Sequence, residues 1–108
     1  MEIDWNPVVH ILDTLSEGTH SLLELGYTAR NYEQSALVES LLYLADRRLV
    51  KLSAGRTSFK PIPQDEWRGV LRSAFETVHP DHATLVNTHI ELSDGGEQVL
   101  RLLGIGHP

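Results

Sequence analysis

The chain has 108 residues, of which 41% are hydrophobic and 22% charged, so it reads as one ordinary globular domain rather than a disordered chain. It contains no cysteine, which excludes disulfide frameworks, thiolate metal sites and cysteine nucleophiles. Nine basic and fifteen acidic residues leave a net charge of -6, which argues against a general polyanion binder because long-range repulsion opposes encounter with phosphate.

Asn6-Pro7 predicts a helix start, since Asn caps free amides and proline suits the first helical position. Trp5, Val8, Val9, Leu12 and Leu15 recur at helical spacing, and Gly18 can end the helix. Trp5 precedes the expected cap, where it can staple that end. A short second helix is expected over 21–25, closed by Gly26.

The third element is the clearest. Asn31 with Gln34 three residues on matches a capping box. Leu37, Leu41, Leu44 and Arg48 follow on one stripe, with Val38 and Ala45 on its shoulder. The opposite arc carries Tyr32, Ser35, Glu39, Tyr43, Asp46 and Arg47, and the helix is expected over 32–46.

Residues 49–53 form a short β-like run, Ala54-Gly55 can make a tight turn, and 57–62 can return as the second strand of a hairpin stopped by Pro61 and Pro63. Trp67, Val70, Leu71, Ala74, Phe75 and Val78 then fit a helical template over 64–78, which His79-Pro80 ends. Val86, Thr88, Ile90 and Leu92 alternate with Asn87, His89 and Glu91, the pattern of a half-buried strand over 86–92. Ser93 can cap a last helix, with Val99, Leu100, Leu102 and Leu103 on its apolar side and Gly104 ending it. With no internal repeat and no long linker, a single domain over 1–104 and a tail over 105–108 are expected. No apolar run approaches the roughly 20 residues of a bilayer span, and the acidic opening Met1-Glu2-Ile3-Asp4 does not look like a secretion signal. A cytoplasmic protein without a membrane partner is expected.

Charge is uneven along the chain. Residues 1–46 hold eight acids and one base, Arg30, for -7. Residues 47–64 hold Arg47, Arg48, Lys51, Arg56 and Lys60 and no acid, for +5, and residues 65–108 return to -4. Such a basic island marks either a phosphate-facing edge or a solvated hairpin whose bases blunt a sheet edge.

The order helix, short helix, longer helix, then strand–turn–strand over residues 6–62 resembles a winged helix-turn-helix domain. The most typical stretch is Ser35-Ala36-Leu37-Val38-Glu39-Ser40-Leu41-Leu42-Tyr43-Leu44-Ala45-Asp46-Arg47-Arg48-Leu49-Val50, a leucine-rich helix end that passes straight into a wing strand. Ile90-Glu91-Leu92-Ser93-Asp94-Gly95-Gly96-Glu97 is similar to the strand-into-helix step that follows the wing in bacterial regulators. Two arrangements compete. In one the wing is 49–62 and the later helix and strand are an extension; in the other 86–92 is the returning wing strand and 54–85 an insertion. The first is favoured because its turn is local and low in closure entropy, and one three-stranded sheet of all these segments would satisfy both. The resemblance implies an α+β fold with three N-terminal helices, a small antiparallel sheet and two further helices.

It also implies a non-enzymatic, transcription-regulator-like protein that binds double-stranded DNA, with the third helix in the major groove and the wing on the backbone. Arg30, Asn31, Tyr32, Gln34 and Ser35 occupy the leading end, where base contacts are made, while Arg47, Lys51, Arg56 and Lys60 face phosphates. Glu39 and Asp46 lie in the same exposed arc and oppose binding. The alternative is a protein-interaction module on the same fold, an adaptor or a dimerisation domain that engages no nucleic acid. A homodimer is expected in either case, with the stripe of the 64–78 helix or of the last helix as its contact.

His79, Asp81, His82 and His89 are the one cluster with metal-ligand chemistry. No His-Glu-x-x-His helix supports it, and His79 suits a plain helix terminus, so no metal and no cofactor is expected. Gly95-Gly96 leads to Glu97 rather than a phosphate-binding lysine, and Gly104-Ile105-Gly106 follows a helix rather than a strand. No serine sits in a glycine elbow, so no catalytic residue is assigned.

Overall fold

In a computed structural model, which describes residues 4–75 and 81–104, the first helix (α1) spans Trp5–Leu15. Asp4, not Asn6, is its cap: the carboxylate accepts the Asn6 amide at 3.1 Å. Pro7 falls on the third helical position, where its missing N–H is still one of the first turn's unpaired donors. Trp5 is therefore the first helical residue and not a staple ahead of the cap.

After a two-residue strand, β1 (His20–Ser21), the Ser21 hydroxyl accepts the Glu24 amide while the Glu24 carboxylate accepts the Ser21 amide. This reciprocal box opens α2 (Leu22–Thr28), which runs through Gly26 instead of closing there. The third helix, α3 (Gln34–Asp46), starts later than its pattern suggests. Glu33 stands at its cap without a side-chain bond, and the expected Asn31–Gln34 box does not form. The Gln34 amide instead donates to the carbonyl of Phe75.

The helix ends in a left-handed corner. Arg48 has φ 56°, the Leu49 amide donates to Leu44 and the Arg48 amide to Ala45, so the last carbonyls are satisfied as the chain turns into β2 (Val50–Ala54). Beyond Gly55 the expected 57–62 strand is reduced to Lys60–Pro61 (β3), which pairs with β2, and the Ile62 amide adds a bond to the Leu52 carbonyl at 3.0 Å. Proline has no amide to donate, which an edge strand tolerates. A 3₁₀ turn at Gln64–Glu66 leads into α4 (Trp67–Ala74), whose Leu71, Ala74 and Phe75 side is buried as expected. Val78 and His79-Pro80, which were to complete that helix, lie outside the described residues.

Asp81 then caps a short helix, α5 (His82–Asn87), through the Thr84 amide at 3.1 Å. Val86 therefore belongs to a helix and is exposed, and the strand expected from 86 begins two residues later as β4 (Thr88–Leu92). The Ser93 hydroxyl accepts the Gly96 amide and opens α6 (Asp94–Leu102), as expected. Leu102 does not join its apolar side: it is 87% exposed because it points roughly 160° away from buried Leu100 on a 3.6-residue helix. The tail at 105–108 lies outside the described residues.

The strands form one antiparallel sheet in the order β1-β4-β2-β3. β2 pairs with β4 along its length, from Val50 opposite Leu92 to Ala54 opposite Thr88, and with β3 only at Ser53 and Ala54. The three expected segments thus share a sheet, joined by β1 as an unexpected fourth strand. The fold class is α+β. Val50, Leu52 and Ile90 face Ile11, Leu12, Leu22, Leu25, Leu41 and Leu44 in a single core. No helix among the described residues is long and apolar enough to cross a membrane.

Candidate functional site

The exposed arc of α3 holds Ser35, Glu39 and Asp46, with Tyr43 half-buried and Arg47 just beyond the helix end. One flank of α3 packs on α1 and the other on α4, which is why Leu42 is buried as well as Leu41. Arg68 of α4 pairs with Asp46. Arg72, one turn further along α4, borders a shallow cleft of about 300 Å³ with Gln34, Ser35 and Glu39. These two arginines were missed in the sequence reading, although their i, i+4 spacing on the polar side of a clear amphipathic helix is visible there.

At the leading end of α3 the structure brings Arg30, Tyr32 and Gln34 to one cleft beside Phe75. Arg30 is turned back on the end of α2: its guanidinium donates to the Tyr27 carbonyl at 3.0 Å and lies 4.4 Å from the Tyr27 ring centre. Asn31 is exposed, and Tyr32 is half-buried with its ring 5.4 Å from that of His10. The Gln34 amide is already committed to Phe75. Of the five residues expected to read bases, Ser35 and Asn31 are the exposed ones without a side-chain hydrogen bond among the described residues.

The basic island does not gather at that end. Arg47 lies across the Tyr43 ring at 3.6 Å and borders a groove against α1 and α6. Lys51 sits on the outer face of the sheet, 3.7 Å from the Glu91 carboxylate, which also accepts the Thr19 hydroxyl at 3.1 Å. Arg56 donates to the Asn87 side chain at 3.4 Å, and Lys60 lies on the edge strand. Near them the exposed Phe59 ring stands 4.2 Å from the His89 ring.

The metal-type cluster is not assembled among the described residues. His79 lies outside them. Asp81 is occupied as a helix cap, where hydrogen bonds from the Thr84 hydroxyl and amide hold its carboxyl below the usual carboxylate range. The His89 Nε2 lies 3.3 Å from the Gly55 carbonyl oxygen. No group of three or more His, Cys, Asp or Glu placed to hold a metal ion occurs among the described residues.

A feature absent from the sequence reading is the groove between α1, the end of α3 and α6, of about 580 Å³. Trp5 and Val9 of α1 line one side, Val99 and Leu103 the other, and Tyr43 lies between them with Arg47 at the rim. Trp5 is 55%, Val9 40% and Leu103 54% exposed. The Trp5 ring meets Tyr43 edge-on at 5.3 Å and 87°. Arg47 is the one charged side chain in the lining. The signal for it was the Trp5–Val9 pair, which is offset from the Val8–Leu12–Leu15 stripe that enters the core.

No protein-family model, no curated protein and no solved structure matches the chain.

Proposed function

We propose that this chain is a non-enzymatic protein-interaction module on a winged-helix-like framework. The framework reading is supported by three helices followed by β2, and by β4 returning between β1 and β2 in the sheet. On that reading residues 55–87 are an insertion in the wing, and its helix α4 lies against α3. The observation that carries the functional reading is the chemistry of α3. Its open arc presents Glu39 and, in an ion pair with Arg68, Asp46, and one flank is taken up by α4. Function is argued from the surface rather than the framework. A helix face whose acids are Glu39 and an ion-paired Asp46 offers phosphate no attraction of its own on a chain of net charge -6, and the bases of 47–64 are divided among the groove rim, the sheet face and the hairpin.

A second reading keeps DNA binding, with the first turn of α3 toward the major groove. It is favoured by one observation: Arg30, Gln34, Ser35 and Arg72 border that turn. Titrating the chain into a fluorescent, sequence-randomised duplex at low salt separates the two. The interaction reading expects no saturable signal up to about 10 μM protein, within the range where non-specific DNA binders already respond. Duplex binding that weakens with salt and with Arg72→Glu would replace it with the DNA reading.

A further inference from the structure

We infer that the groove between α1, α3 and α6 seats a second copy of this chain, in a twofold contact that crosses the two α1 helices antiparallel. The inference rests on the interaction-module reading and names its partner.

The groove is chemically unlike a small-molecule site. Such sites orient a ligand with several convergent polar groups, whereas the lining of this one is mostly apolar, its polar side-chain groups being the Arg47 guanidinium, the Tyr43 hydroxyl and the Trp5 indole N–H. At its centre the Tyr43 ring meets Trp5 edge-on and carries the Arg47 guanidinium across it, and the group is open to solvent on the Trp5 side. Tryptophan, tyrosine and arginine are the residue types that dominate the energetics of protein interfaces.

Charge complementarity selects a copy of the same chain. The exposed stripe of α1 runs Trp5, Val9, Asp13 at i, i+4 and i+8. Arg47 stands at its Trp5 end, because both side chains meet the Tyr43 ring. The stripe therefore has a cation at one end, an acid at the other and an apolar middle, over roughly 12 Å of helix. Neither Arg47 nor Asp13 has an ionic partner among the described residues. A twofold axis near Val9 reverses the second stripe, so that each Arg47 meets the partner's Asp13 while Trp5, Val9 and Leu103 of both copies cover one another. An isologous contact requires this self-complementarity. Parallel crossing would set like charges together.

Sedimentation velocity of the full chain, from about 1 to 100 μM, tests the inference. The expected species has twice the 12.1 kDa chain mass. Arg47→Asp and Asp13→Arg are each expected to weaken association roughly tenfold, and the double reversal to recover most of it. Both positions are exposed, and circular dichroism checks that each variant stays folded. A monomer throughout overturns the inference, including a monomer whose groove takes up an apolar dye or another protein. A dimer unaffected by either reversal, or a double variant no better than the singles, overturns it equally. The duplex titration is independent of all these outcomes, so a monomer with no duplex affinity removes the second copy alone, and duplex binding removes the parent reading.

Discussion

The guanidinium of Arg47 lies 3.6 Å from the centre of the Tyr43 ring, four residues back along the chain. Trp5 packs edge-on against the same ring, so one tyrosine ties the end of α3 to the start of α1. At an exposed site a cation–π contact contributes about 0.5–1 kcal/mol, and an aromatic pair about 0.5–1.5 kcal/mol beyond its burial. Tyr43→Leu keeps an apolar side chain but loses both contacts, so it is expected to cost at least about 1–2 kcal/mol in urea unfolding, and Arg47→Ala about 0.5–1 kcal/mol. Their effects should not add, because Arg47 has no ring left to lose in the Tyr43→Leu background. Protein concentration must be held fixed, since association would raise apparent stability.

What the sequence made legible here was local. The cap at Ser93 bonds to an amide three residues on, so residue types at fixed spacing suffice to find it; the Ser21–Glu24 box has the same spacing, although Ser21 was expected inside its helix. Asn31 and Gln34 have the same spacing, yet Gln34 bonds to a carbonyl 41 residues away. No local pattern carries that partner. The alternation at 88–92 was legible as a strand, but Val86 continued the same alternation inside a helix nucleated by Asp81. β1 is two residues long, too short for any period. The groove was hidden for a related reason: whether Trp5 stands before the helix or on it depends on Asp4 taking the cap, and its opposite wall arrives from α6 at the far end of the sequence.

The corner at Arg48 carries strain that can be removed. A left-handed φ of 56° costs a side chain roughly 1 kcal/mol or more, and glycine adopts it freely. The corner is otherwise well fixed, because the Ser93 hydroxyl donates to the Arg48 carbonyl at 2.6 Å and the Ser93 amide to the Leu49 carbonyl at 3.0 Å. Both bonds use backbone acceptors and survive substitution. Arg48→Gly is expected to stabilise the chain by about 0.5 kcal/mol, the relief of strain being partly offset by a more flexible unfolded chain. Thermal unfolding would read this as a small rise in Tm, and a fall would mean the arginine side chain holds something in place.

The Ser21–Glu24 box sets a pH dependence. Hydrogen bonds from the Ser21 amide and hydroxyl environment hold the Glu24 carboxyl below its ordinary value. A carboxylate with a lower pKa folded than unfolded stabilises the fold above its unfolded pKa, about 4.3, and that contribution is lost as pH falls through the folded value. Glu24→Gln keeps the reciprocal bond without the charge. The stability difference between wild type and this variant is expected to be constant from about pH 6 to 7 and to shrink below about pH 4.5. A difference that stayed flat to pH 3 would mean the charge contributes nothing.

The helix α4 is part of the core, not an appendage of the hairpin. Leu71 is fully buried, and the Trp67 indole donates to the Ile62 carbonyl at 2.8 Å. Leu71→Ala is expected to cost about 2–5 kcal/mol and to lower unfolding as one cooperative transition. Arg68→Ala, which removes only an exposed ion pair with Asp46, should cost no more than about 1 kcal/mol. Two separate unfolding transitions in either variant would show that α4 and its neighbours fold apart from the α1–α3 unit.

Two helical glycines should respond in opposite directions to the same change. A Cβ at Gly96 would stand 1.9 Å from the Leu49 carbonyl oxygen, a backbone atom that already accepts the Ser93 amide and cannot swing aside. Gly96→Ala must therefore push the first turn of α6 away from the α3–β2 corner, at a cost of about 1–3 kcal/mol or more. At Gly69, in the exposed side of α4, a Cβ meets nothing within 4 Å. Gly69→Ala gains helix propensity with no clash and is expected to stabilise by about 0.5–1 kcal/mol. Paired denaturation curves test both at once. Because α6 and the Leu103 that follows it supply one side of the groove, Gly96→Ala should change Trp5 fluorescence in the folded protein, whereas Gly69→Ala should leave it as it is.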